Sequence, residues 1–199
     1  NLGEVVDACL HLVDHPDASF SDLLSYIHGP DFPTAGIVNG RSGIVEAYKT
    51  GRGKIYMRAK AEFEHQEKLN KSAIVITELP YAVNKAKLCE KIGQLVREKK
   101  IDGITAIRDE SSRKGMRVVI ECRRGESADL ILNQLYSLTP LQCVYGINMV
   151  CLDRDRPRCM PLMDILNAFI EHRREVVRRR LEFEVAKARK RAHILEGLA

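Results

Sequence analysis

The sequence predicts an α+β protein: a βαββαβ two-layer domain preceded by short helices and followed by one long helix, half of a coiled coil. Three observations point there. Apolar residues recur at helical spacing near both ends, the period switches repeatedly between 2 and 3.6 from residue 54 to residue 152, and no glycine or proline interrupts Leu162 to Glu196. With 199 residues and 45% hydrophobic content, the chain can bury a real core as one domain or as a domain plus an appendage.

The elements follow in order. Leu2, Val5, Val6, Cys9, Leu10 and Val13 form one face of an amphipathic helix over 2–14 that ends near His15-Pro16. A short helix over 19–27 takes Ser19 as its N-cap, and a third over 43–49 is closed by Gly51. From Lys54 to Ala61 the period becomes 2, with Lys54, Tyr56, Arg58 and Lys60 on one face and Ile55, Met57, Ala59 and Ala61 on the other. Then come a strand (73–79), a helix (84–99), two strands (103–108 and 116–122) joined by a polar hairpin turn over 109–115, a helix (127–136) and a strand (141–152). That order packs as a sheet covered by helices on one face. After a turn at 153–158, Leu162, Leu166, Phe169, Val177, Leu181, Val185, Ala188, Ala192 and Leu195 recur at steps of three or four, with a gap at Arg173. A helix over 161–199 spans roughly 55 to 60 Å at ~1.5 Å per residue, longer than a compact domain of this size, as an arm or coiled-coil strand would be. The chain divides accordingly into an N-terminal helical segment (1–28), an α+β domain (29–160) and the long helix (161–199).

Charge changes sign along the chain. Residues 1–40 hold no Lys or Arg and carry a net −6, whereas residues 41–199 carry +11. A basic body behind an acidic lead segment suggests a polyanion partner met on one face. No apolar run approaches the ~18 residues of a membrane span, and the N-terminal residues lack the features of a signal peptide, so a soluble, cytoplasmic protein without membrane contact is expected. Six cysteines without a CxxC pair, mostly inside apolar runs, read as reduced core thiols rather than a disulfide framework or zinc site.

Residues 29–58 carry the strongest chemical signal. Pro30 and Pro33 fix the backbone around Asp31 and Phe32, and glycines at 36, 40, 43, 51 and 53 allow tight turns and close approach. Six cations fall between Arg41 and Lys60: Arg41, Lys49, Arg52, Lys54, Arg58 and Lys60. Cations ~6.6 Å apart on one strand face meet successive phosphates and supply affinity through counterion release. The plainer alternative is a solvated strand edge protected by lysines. Lys85, at a helix start beside Asn84, is a further anion-binding candidate. Arg173, Arg174, Arg178, Arg179 and Arg180 alternate with Glu171, Glu175, Glu182 and Glu184 and read better as a salt-bridged solvated helix; Lys187, Arg189, Lys190 and Arg191 read the same way.

Enzymatic constellations are weak. TGRGK fails as a phosphate-binding loop because Tyr48 stands where the first glycine belongs and Ile55 where Ser or Thr must follow the lysine. His11 and His15 have a two-ligand metal spacing, but Leu12 replaces the zincin glutamate and no third ligand is evident. Asp109, Glu110 and Ser111 fall on the hairpin turn.

The segments GPDFPTAGIVNGRSGI (29–44), AYKTGRGKIYMRAKAE (47–62), ELPYAVNKAKL (78–88), IRDESSRKGMRVVIE (107–121), YGINMV (145–150) and HRREVVRRR (172–180) resemble the A subunits of bacterial DNA gyrases, type II topoisomerases, over essentially the whole chain and better than those of topoisomerase IV. The resemblance implies the tower region and the first helix of the long coiled coil. In the family, an Arg-Tyr pair supplies the tyrosine that attacks DNA, and none of Tyr26, Tyr48, Tyr56, Tyr81, Tyr136 or Tyr145 follows an arginine. No catalytic or metal residue is therefore expected within the chain, which should be inactive alone. No cofactor is expected in it either, since ATP and magnesium belong to the partner B subunit.

The implied partners are double-stranded DNA, a second copy of the gyrase A chain and the B subunit, in an assembly of two of each. The implied role is to support an arm of the double-stranded gate segment, through the seven cations named above, during ATP-dependent negative supercoiling. Two alternatives are a coupling module that relays gate motion with little DNA contact and the equivalent piece of topoisomerase IV. A standalone RNA-binding βαββαβ domain would want exposed aromatics on central strands, a pattern missing here.

Overall fold

The computed structural model describes residues 1–66, 71–113 and 115–198, which pack as two compact units. The first comprises residues 29–45 and 53–147. It contains two antiparallel sheets. In the smaller, the strand order is β1 (Ile37–Asn39), β2 (Arg52–Arg58), β7 (Gln142–Asn148). In the larger it is β3 (Lys60–Gln66), β4 (Lys71–Glu78), β6 (Val118–Cys122), β5 (Ile104–Asp109). Helices α4 (Lys85–Arg97) and α5 (Ala128–Leu138) supply the core of the larger sheet.

That core follows from the two periods. Ile74 and Ile76 on β4 and Val118 and Ile120 on β6 share a face with Leu88, Ile92 and Leu95 of α4 and Ile131 and Leu135 of α5. Ile74, Ile76, Ile92, Ile120 and Leu135 are fully buried, and each such side chain contributes about 1.5–3 kcal/mol relative to exposure. Asn84 caps α4 by accepting from the Lys87 N–H at 3.1 Å. The opposite face of the sheet carries an ion lattice instead. Arg117 grips Glu64 with both terminal nitrogens at 2.8 Å and meets Glu110 at 3.0 Å, while Arg108 meets Glu110 at 3.2 Å and Glu121 at 2.7 Å. These bonds hold the Arg117 guanidinium above its ordinary pKa and the Glu64 carboxyl below its own.

The α+β class holds, and the βαββαβ order is present as β4-α4-β5-β6-α5-β7. The sheet differs from the expected one. β7 leaves it to pair with β2, and β3 takes the edge beside β4 in the register Phe63↔Ile74. The alternation that begins on β2 runs on through Ala61 and Phe63 between Lys60, Glu62 and Glu64, although Glu62, Phe63, Glu64 and His65 are all exposed. The expected 141–152 strand is also two elements, β7 and β8 (Val150–Asp153).

The second unit comprises residues 1–28, 46–52 and those from 148 on. Helix α1 (Leu2–Asp14) closes with the His15 N–H on the His11 carbonyl. Helix α2 (Phe20–Tyr26) starts in a capping box, the Ser19 N–H donating to the Asp22 carboxylate at 2.7 Å. β8 and β9 (Arg156–Cys159) form a hairpin whose turn residues, Arg154 and Asp155, have φ of 47° and 63°. Helix α6 (Leu162–Glu196) runs 35 residues, about 52 Å. Leu162 and Leu166 are buried, whereas Leu181, Val185 and Leu195 are exposed, so the apolar seam is present. Val6 and Leu10 of α1 and Phe169, Val177 and Leu181 of α6 line an open groove of about 1280 Å³. The expected ladder on α6 also forms: Arg174–Glu171 at 3.9 Å, Arg178–Glu182 at 3.8 Å, Arg180–Glu184 at 3.9 Å, and Arg179–Glu175.

Candidate nucleic-acid interface

Strand β2 places its residues as the period-2 reading required. Ile55 and Met57 are buried, whereas Lys54 and Tyr56 are exposed and Arg58 is half-buried. β1 lies antiparallel, with Asn39 opposite Tyr56 and Ile37 opposite Arg58. Cross-strand partners share a face, so Lys54, Tyr56, Arg58, Ile37 and Asn39 form one surface. Tyr56 is 53% exposed and Ile37 49%. An aromatic ring between two cations with apolar flanks suits a sugar-phosphate backbone, charge on phosphate and apolar surface on deoxyribose.

Helix α3 (Ser42–Thr50) begins against this strand because residue 43 is glycine. A Cβ there would overlap the Lys54 carbonyl oxygen and stand 3.0 Å from its carbon. Gly36 is a second built-in requirement. Its φ is +89°, its N–H donates to Glu78 at 2.8 Å, and a Cβ would come within 3.2 Å of the Arg58 carbonyl oxygen.

The other candidates have distinct settings. Arg41 is exposed just before α3, and its carbonyl accepts from the Val45 N–H. Lys49 near the end of α3 and Arg52 at the start of β2 are exposed. Lys60 lies 3.7 Å from Glu78 and 4.0 Å from Glu62. Lys85 is engaged more firmly, its ammonium 2.7 Å from Asp109 and donating to the Ser111 hydroxyl at 3.0 Å. The hairpin residues Asp109 and Ser111 thus clasp the first turn of α4, an arrangement no local pattern announced because 24 residues separate the ion pair. Bonds from Lys85 and Ser111 hold the Asp109 carboxyl at about 2. The folded pKa lies below the ordinary ~3.9, so the contribution of the clasp is complete above about pH 4 and is lost as pH falls toward 2. A carboxyl-carbon NMR titration should show Asp109 titrating near the bottom of that window, and Asp109→Asn should remove this part of the acid dependence of unfolding. An Asp109 midpoint close to 4 would contradict the clasp.

Sequence reasoning missed two partners of the strand. The Arg58 Nε–H donates to the Gln142 side-chain oxygen, and the guanidinium carbon lies 5.1 Å from the centre of the Tyr136 ring. The Tyr136 hydroxyl in turn donates to the Ala59 carbonyl at 3.2 Å. No signal could have found them, since Gln142 and Tyr136 follow Arg58 by more than seventy residues. Phe32, Tyr81 and Tyr145 also converge, with ring centres 5.2 to 5.7 Å apart. Among the described residues no cluster of three or more His, Cys, Asp or Glu suits a metal. His11 and His15 stack at 4.6 Å, and the Tyr26 hydroxyl lies 3.2 Å from His11 Nδ1. No described helix is long and apolar enough to cross a membrane.

A family model for the DNA gyrase/topoisomerase IV A subunit matches residues 1–199. The DNA gyrase A subunit of Pseudomonas aeruginosa is 60% identical over 200 residues, covering 100% of this chain and 22% of that protein. Those of Aeromonas salmonicida and Escherichia coli are 58% and 56% identical, again over 100% of this chain and over 22% and 23% of their own lengths. The chain thus spans less than a quarter of the length of these relatives.

Proposed function

The chain belongs to the DNA gyrase/topoisomerase IV A-subunit family, and on that premise we propose that it holds an arm of the double-stranded gate segment by its backbone during ATP-dependent negative supercoiling. The observation that carries this reading is the β2 face, with Lys54 and Tyr56 exposed, Arg58 half-buried and apolar Ile37 beside them. Contacts of this kind carry no sequence information but offset the several kcal/mol that bending a duplex costs. The cut itself belongs to a tyrosine beside an arginine elsewhere in the full-length protein. ATP and magnesium belong to a partner B subunit, in an assembly of two A and two B subunits.

Titration of a labelled duplex with this chain tests the reading. Weak binding without sequence preference is expected, and if about three to five phosphates are neutralised, log K should fall against log[salt] with a slope of roughly −3 to −4.5. A slope near zero would remove the backbone contact from consideration. With ATP, magnesium and the B subunit present, this chain should neither cleave nor supercoil DNA, because no positioned nucleophile is present among its tyrosines; a covalent phosphotyrosyl adduct on it would overturn that expectation. The internal partners of Lys60 and Lys85 favour a second reading, a coupling module that relays gate motion with little DNA contact. Charge reversal on β2 separates the two.

A further inference from the structure

We infer that Gln142 and Tyr136 are positioning residues that hold the Arg58 guanidinium ready for a backbone phosphate of duplex DNA. The inference rests on the backbone-contact reading of β2. The cations of this unit are held in two ways. Arg108, Arg117, Lys60 and Lys85 are all gripped by carboxylates, which cancel the charge they orient. Arg58 is gripped by neutral groups: the side-chain amide of Gln142 on β7 and the ring of Tyr136 on α5. The clamp orients the guanidinium and leaves its charge whole.

The outer end of the fork is not taken up internally. Gln142 accepts from Nε, and among the described residues no hydrogen bond or ion pair engages the two terminal nitrogens, which suit a bidentate phosphate contact. The clamp is itself fixed. Gln142 lies on the strand paired with β2, and Tyr136 is tied to the carbonyl of the residue after Arg58. Burial raises the Tyr136 hydroxyl above its ordinary pKa, in keeping with a phenol that donates to the Ala59 carbonyl. A long side chain ordered before binding loses little rotamer freedom on contact, whereas a solvated one must be ordered by the contact itself.

The test uses this 199-residue chain and a labelled duplex, with thermal unfolding of each variant as control. Gln142→Met keeps length and removes the acceptor. It should weaken binding about three- to tenfold, the cost of ordering one long side chain, and should leave the salt slope unchanged because the charge remains. Arg58→Gln should weaken binding and reduce the slope by about 0.9. In that background Gln142→Met should add nothing, a coupling that a merely structural role would not show. Gln142→Glu keeps an acceptor but neutralises the guanidinium, so its slope should fall by about 0.9 as well; this variant decides the matter where Gln142→Met does not fold. Wild-type binding by Gln142→Met beside a weakened Arg58→Gln overturns the inference. So does an equal loss from Gln142→Met in both backgrounds. If Arg58→Gln and Lys54→Glu both bind as wild type, the β2 reading itself fails and takes the inference with it.

Discussion

Replacing Lys54, Arg58 and Lys60 together with glutamate is expected to abolish duplex binding by this chain at physiological salt. Three reversals turn a cationic face into an anionic one, and phosphate contacts of this kind supply essentially all of a sequence-independent affinity. Glutamates at Arg178 and Arg179 should matter far less, because those arginines already face Glu182 and Glu175 on α6. Electrophoretic mobility of a fixed duplex against rising protein measures both variants side by side. Equal losses from the two sets would remove the case for the strand. Lys60 also balances Glu62 and Glu78, so the Lys54/Arg58 double variant separates lost contact from local repulsion.

Gly43→Ala should damage the fold far more than Gly36→Ala or Gly40→Ala. The added Cβ would overlap the Lys54 carbonyl oxygen, and backbone is what it meets, with Ile55 Cγ2 at 3.2 Å as the next neighbour. Either α3 or β2 must move. Overpacking of this severity costs on the order of 3 kcal/mol, read as a drop in the urea midpoint at constant slope. DNA binding should fall with it, since the displaced strand carries the cationic face. Gly40→Ala is the informative control, because nothing lies within 4 Å of its Cβ and only its φ of +90° is strained. An unchanged midpoint for Gly43→Ala would show that the close approach of α3 to β2 is not maintained in solution.

What could be read from residues alone divides along a physical line. Period and caps are local, and they were legible: the alternation of β2, Ser19 as an N-cap, and the unbroken α6 with its Glu–Arg ladder all follow from neighbours within four positions. Pairing is not local. β3 carries the alternation of β2 on through Ala61 and Phe63, but no local feature says that it pairs with β4, and β7 carries no mark that distinguishes β2 from β4 as its partner. The candidate site shows the same division. The cationic face could be read, but the neutral clamp on Arg58 and the acidic clasp on Lys85 could not. Their partners come from elements separated by whole helices.

Residues 52–66 run through both sheets with Ala59 alone between β2 and β3. That residue is bonded on both sides, its N–H to the Leu141 carbonyl at 2.8 Å and its own carbonyl to the Tyr136 hydroxyl at 3.2 Å. The two sheets therefore share a single backbone, near full reach within each strand at ~3.3 Å per residue, with one shift of the β3–β4 register between Lys60 and Ala61. A pull on the Lys54 end becomes tension on the Lys60 end, and tension there loads the Phe63–Ile74 ladder in shear across several hydrogen bonds at once. The strand acts as a tie rod: what tugs at the cationic face tugs, covalently, at the helix-covered sheet.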